Sequence, residues 1–186
     1  GYTLVKAGTG KLILTGANSY SGGTTISGGT LQGNTTSLQG GILNNAALVF
    51  DQGTDGTYAG VISGTGGLTK SGAGALELTG ANTYSGGTTV SGGTLVQGSA
   101  GAFSANTAYT INGGILDLND FDLTASSLSG TGTLALGNGA LTIDQDTDTV
   151  FAGNLVSGNV LTTDNLIKTG DGTLSLTGSG ELNGRV

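Results

Sequence analysis

The chain has 186 residues, 39 of them glycine, and no Pro, Cys, Met, Trp or His. Twelve acids against five bases leave a net charge of −7, which disfavours binding to phosphate backbones or anionic membranes, since both need clustered Lys or Arg. The missing Cys and His exclude disulfides, thiolate metal sites and any Ser–His–Asp relay, and no apolar run approaches the roughly 20 residues that span a bilayer.

In chain order, the first predicted strand is Leu12-Ile13-Leu14. Its counterparts are Leu76-Glu77-Leu78 and Leu174-Ser175-Leu176. The flanking leucines are constant while the middle residue changes from apolar to charged, which is the period-2 signature of a strand with leucines inward. Gly22-Gly23 and Gly28-Gly29 then bracket Thr24-Thr25-Ile26, as Gly86-Gly87 and Gly92-Gly93 bracket Thr88-Thr89-Val90. Glycine supplies the positive φ of tight corners, and Thr, Ile and Val suit the pleated surface between them. Leu48-Val49-Phe50 continues into Asp51-Gln52-Gly53-Thr54-Asp55 and recurs 93 residues later as Leu141-Thr142-Ile143 followed by Asp144-Gln145-Asp146-Thr147-Asp148. The later unit carries about five extra residues around Thr162–Asn165, which reads as a loop insertion.

The larger pattern is a duplication. Residues 4–31 read LVKAGTGKLILTGANSYSGGTTISGGTL, and residues 68–95 read LTKSGAGALELTGANTYSGGTTVSGGTL, with 21 of 28 positions identical. Residues 166–178, LIKTGDGTLSLTG, repeat the first half. Self-similarity of this kind marks a stacked array. The anchors Leu12, Leu31, Leu76, Leu95, Leu116, Leu134, Leu155 and Leu174 mostly lie 19–21 residues apart. The expected architecture is all-β: a parallel β-helix, or solenoid, of 8–9 rungs of about 20 residues, with residues 1–186 forming one segment. The 64-residue offset reads as three rungs. The chain opens almost inside one repeat at Gly1-Tyr2-Thr3 and stops inside another at Arg185-Val186, which reads as a piece of a longer protein.

The pattern L-x-K-x-G-x-G-x-L-x-L-T-G-A-N-x-Y-S-G-G-T-T-[IV]-S-G-G-T-L resembles the autotransporter-associated β-strand repeat of type V secreted passenger domains in Gram-negative bacteria. Residues 112–118 and 127–134 are similar to the same family. At Ser179-Gly180 the third copy departs from its Ala-Asn-x-Tyr. The resemblance implies a right-handed β-helix, export through the inner membrane, and passage through an outer-membrane translocator barrel to the cell surface. The function it implies is a structural stalk with an adhesion surface. The partners it implies are a host-cell receptor, matrix or glycan, or other passengers by self-association. Nucleic acid and membrane insertion of this segment are not among them. A released virulence factor acting as ligand or toxin is the alternative, and a carbohydrate-active enzyme a remoter one.

Each candidate site has a structural reading beside it. Asp144, Asp146 and Asp148 would share one strand face and offer three carboxylates to Ca²⁺. Their counterparts Asp51, Gly53 and Asp55 favour a solvated corner instead. Asp117, Asp120 and Asp122 surround Phe121, but a glycosidic or lyase site needs supporting basic groups. Arg185 is the lone arginine, and Lys6, Lys70 and Lys168 occupy one repeat position, as structural or surface groups. Gly8-Thr9-Gly10-Lys11 lacks the Ser or Thr and the helix of a phosphate loop. Tyr20 and Tyr84 share a position, where a ring covers the core with its hydroxyl in water. Asn34-Thr35-Thr36 is formally a glycosylation sequon. No catalytic residue and no cofactor are expected. The segments unshared between copies, Asp117, Asp120, Phe121 and Asp122, and Thr162, Thr163, Asp164 and Asn165, are the expected places for a specific contact.

Overall fold

The computed structural model describes residues 1–157 and 166–181. Among them there is no helix, so none long and apolar enough to cross a membrane. Short strands follow one another around three faces, and all the pairings between them are parallel. The chain is a parallel β-solenoid, as the leucine spacing predicts.

Face 2 is a continuous sheet of nine strands and numbers the rungs: Lys11–Ile13, Thr30–Gly33, Ala47–Asp51, Gly67–Ser71, Thr88–Val90, Ala108–Ile111, Ser127–Gly130, Thr149–Phe151 and Leu174–Leu176. Face 3 begins at rung 3 with Gly56–Tyr58 and continues through Ala75–Leu78, Thr94–Gln97, Ile115–Asp117, Thr133–Gly137 and Asn154–Ser157 to Gly180–Glu181. Face 1 has two blocks. The first runs from Leu4–Lys6 through Thr24–Ile26 and Ile42–Asn44 to Ile62–Ser63, and the second holds Leu123–Ala125, Leu141–Asp144 and Leu166–Thr169. Nine stacked strands at about 4.8 Å per step give a rod roughly 40 Å long.

Alternation of side chains fills the interior with columns. On face 2, Leu12, Leu31, Leu48 and Leu68 stack in register. On face 3, Leu76, Leu95, Leu116, Leu134 and Leu155 do the same. From Leu31 to Leu134 these leucines are essentially inaccessible, and their burial, at about 25 cal/mol per Å² of apolar surface, drives the stacking. Leu12 and Leu174, in the first and last rungs, are only half-buried. Phe50 and Tyr58 meet edge to face, 4.9 Å between centroids, inside rung 3.

One expectation is corrected. Leu12 lies on face 2, whereas its copy Leu76 lies on face 3. Three rungs above Leu12 stands Leu68, after 56 residues. The 64-residue repeat is therefore three rungs and one further face. The first copy starts on face 1 and the second on face 2, while the third begins at Leu166 on face 1 again. The reason is that rung length varies, from 17 residues between Leu31 and Leu48 to 25 between Thr149 and Leu174. The motif thus encodes a corner and its two flanking strands, and it is found at both the corner from face 1 to face 2 and the corner from face 2 to face 3.

Candidate functional site

The repeated lysine explains the corner. Period-2 alternation puts Lys6 and Lys70 on the inward side, and Lys70 sits in an apolar column between Phe50 and Val90. It is completely buried, and Lys6 nearly so. The Lys70 ammonium donates to Ser71 O at 2.8 Å, Gly72 O at 2.9 Å and, one rung on, Gly92 O at 3.0 Å. Lys6 repeats this with Ala7 O, Gly8 O and Gly28 O. Lys168 clamps Thr169 O and Gly170 O of its own turn. Three donors meeting three turn carbonyls satisfy an ammonium without a carboxylate. Burial pushes the Lys70 ammonium below its ordinary pKa, while the charge of Asp51 pulls the other way.

The paired glycines belong to the same device. Gly93 has φ +63°, and a Cβ there would lie 2.4 Å from Gly74 O and 2.7 Å from Lys70 Nζ. Gly29 is equally constrained, with φ +65° and a would-be Cβ 2.7 Å from Lys6 Nζ. The K-x-G and S-G-G elements of the motif, 22 residues apart, are two halves of one clamp between successive rungs.

The Ala-Asn-x-Tyr element fills the face that follows. Asn82 accepts from Ile62 N–H at 2.7 Å and donates to Ala102 O at 2.6 Å. It thereby ties the last strand of the first face 1 block to the two rungs that follow, where face 1 has no strand. Asn18, its copy, donates to Ser37 O. The Tyr84 hydroxyl is not in water. It is fully buried and shares a 2.6 Å hydrogen bond with Thr88 Oγ1, and burial raises its pKa to about 12. Tyr20 makes the equivalent contact with Thr24. The ring fills the core because no strand side chain occupies that face.

The acidic candidates occupy corners. Asp117 Oδ1 accepts from Asn119 N–H, Asp120 Oδ1 from Asn138 N–H and Nδ2, and Asp122 Oδ1 from Ala140 N–H. Asn119 and Asp120 hold the bend at φ 48° and 68°, and Phe121 is half-buried. Asp144 accepts from Thr169 Oγ1, Asp146 from Asp171 N–H and Asp148 from Thr173 N–H. Asp55, the internal counterpart of Asp148, likewise accepts from Ala75 N–H. Each carboxylate therefore receives a donor at a corner, most from the next rung. No group of three acids among the described residues is placed to hold a metal ion. Thr162, Thr163, Asp164 and Asn165 lie outside the described residues.

Two structural roles escape the sequence reading. Gln52 and Gln145, matched in the 93-residue offset, are buried and bind the corner: Gln52 donates to Thr54 O and Thr35 Oγ1, and Gln145 to Thr147 O and Thr173 O. Asn34 of the sequon turns its Oδ1 onto Thr36 N–H, Thr36 Oγ1 and Ser37 N–H, so it shapes a bend. The outward row of face 2 reads Thr69, Thr89, Thr110 and Ser129 across rungs 4 to 7, uncharged and half-exposed.

The passenger-associated-transport-repeat family model matches residues 4–32, 68–96 and 166–183. Over 171 residues the chain is 43% identical to the adhesin BmaC autotransporter of Brucella suis biovar 1 (strain 1330), an alignment covering 88% of this chain and 5% of that protein. The chain thus spans about one twentieth of that relative's length. No solved structure matches it. The lysine-clamped corners of this solenoid are therefore passenger-associated transport repeats, the repeats of autotransporter passengers.

Proposed function

We propose that this stretch serves as a rigid adhesive stalk, its interior devoted to stacking and its outer faces to contact with host surfaces or neighbouring bacteria. Passengers of this kind lie at the Gram-negative cell surface or are released from it, after passing their own outer-membrane barrel. The observation that carries the reading is the likeness to an adhesin along most of the chain. The distribution of chemistry supports it. Lys6 and Lys70 are turned inward onto carbonyls, acidic residues of the corners cap amides, and the outward row of face 2 is the uncharged Thr69, Thr89, Thr110 and Ser129. A carboxylate already accepting a backbone N–H is poorly placed as a general acid, so the reading is non-enzymatic. The test is binding of the purified chain to host cells, to matrix proteins and to bacteria displaying the full passenger. Saturable binding to any of these supports the proposal, and none reduces the segment to a spacer.

A further inference from the structure

Face 3 has no strand in rungs 1 and 2, and this leaves a surface groove of about 290 Å³ at the corner where face 2 ends. Its floor crosses three rungs. Ile13, half-exposed, and Leu14 form an apolar wall. Beside it, on the adjoining strands, runs a polar chain of which Gln32 and Asp51 line the groove: Lys11 Nζ donates to Gln32 Oε1 at 2.6 Å, Gln32 Nε2 to Asp51 Oδ2 at 2.9 Å, and Ser71 Oγ to Asp51 Oδ1 at 3.3 Å. Gly53 keeps one end open, since a Cβ there would meet nothing within 4 Å.

We infer that this groove binds one residue of a neutral glycan. The inference rests on the adhesive reading and names its ligand class. Asp51 is exposed, and each of its oxygens uses one lone pair on a protein donor, which leaves two acceptor positions directed to neighbouring ligand hydroxyls. Ile13 and Leu14 provide the apolar surface against which the C–H face of a pyranose packs. The electrostatics select a neutral ligand. Asp51 and the net charge of −7 repel anions, while a cation drawn to Asp51 meets the Lys11 ammonium at the other end of the same chain. The volume is at the low end of the ~300–1,000 Å³ typical of small-molecule sites, which suits a single sugar ring.

Gly53→Trp tests this directly. Gly53 is exposed, has no left-handed backbone and faces open space, so the indole fills the groove without disturbing the fold. Asp51→Asn is the second variant. The wild-type chain and both variants are titrated calorimetrically with trisaccharides of glucose, galactose and mannose, and with a sulfated trisaccharide. The inference expects a neutral trisaccharide to bind the wild type and both variants to weaken it at least tenfold, with the melting temperature of Gly53→Trp unchanged. It is overturned if no neutral sugar binds, if the sulfated sugar binds better, or if Gly53→Trp binds as the wild type does. Host-cell binding separates the two readings. Cell binding unaffected by Gly53→Trp removes the groove as the site and leaves the adhesive reading intact. Sugar binding without cell binding does the opposite.

Discussion

Replacing Lys70 with methionine keeps the stem in its column and deletes the ammonium. Of its three acceptors, Ser71 O also receives Gln52 N–H, so it stays satisfied. Gly72 O and Gly92 O have no other donor among the described hydrogen bonds and are left without one. An unsatisfied buried acceptor costs about 1–3 kcal/mol. Both glycines are half-buried, so two such losses sum to about 2–4 kcal/mol. Against this stands the relief of a buried charge, which in other contexts outweighs the contacts it makes. Three well-formed acceptors tip the balance toward destabilisation here. At about 2–4 °C per kcal/mol for a chain of this size, Lys70→Met should melt roughly 5–15 °C lower in calorimetry. Lys11→Met, which removes one exposed contact, should change little. If Lys70→Met were as stable as the wild type, or more so, the lysine would not be the element that fixes the corner.

Alkaline titration gives a second, signed prediction. Tyr84 ionises at about 12 folded against 10.0 unfolded, so its contribution is complete below pH 10 and is lost as pH rises from 10 to 12. That amounts to about 2–3 kcal/mol, and Tyr84→Phe should flatten this part of the stability curve in urea melts. Lys70 acts in the opposite sense. Its folded pKa is lowered, so the unfolded state holds the proton longer and the wild-type advantage over Lys70→Met should widen as pH rises toward 10.5. Asn82→Ala orphans Ile62 N–H and Ala102 O and should cost about 2–4 kcal/mol by chemical denaturation. Gly93→Ala, with backbone and lysine atoms inside 3 Å of the new Cβ, should be far more damaging than Gly101→Ala, which shares a positive φ but faces open space. Titrating Ca²⁺ into the chain should give no heat and no change in melting, since Asp144, Asp146 and Asp148 each accept from the following rung.

The Leu-x-Leu pairs and paired glycines were enough to read strands, corners and parallel stacking, because period 2 and positive φ are local properties. The buried lysine was also written there: Leu4-Val5-Lys6 puts Lys6 on the side of Leu4. A charged residue beside glycines is nevertheless read as surface unless its carbonyl partners are known, and Gly28 and Gly92 lie 22 residues away. Tyr84 was misplaced because alternation along Thr88-Thr89-Val90 turns its partner Thr88 inward, which takes the hydroxyl into the core with the ring. The advance of the repeat by one face could not be seen at all. It depends on the 17-residue step from Leu31 to Leu48, and Leu48 belongs to no copy of the motif. For the Asp117–Asp122 corner the acids were visible, but their capping partners Asn138 and Ala140 come from the next rung.

The second copy enters the rod one face later than the first, and paired cysteines test this in a chain with none of its own. Val49 and Thr69 are outward neighbours in adjacent parallel strands of face 2, whereas Glu77, the copy of Ile13, is on face 3. Adjacent strands lie about 4.8 Å apart, within the Cα separation a disulfide spans. Under mild oxidation Val49→Cys with Thr69→Cys should cross-link in the folded state, and Val49→Cys with Glu77→Cys should not. Efficient bridging of 49 to 77, with none between 49 and 69, would put the second copy on the same face as the first.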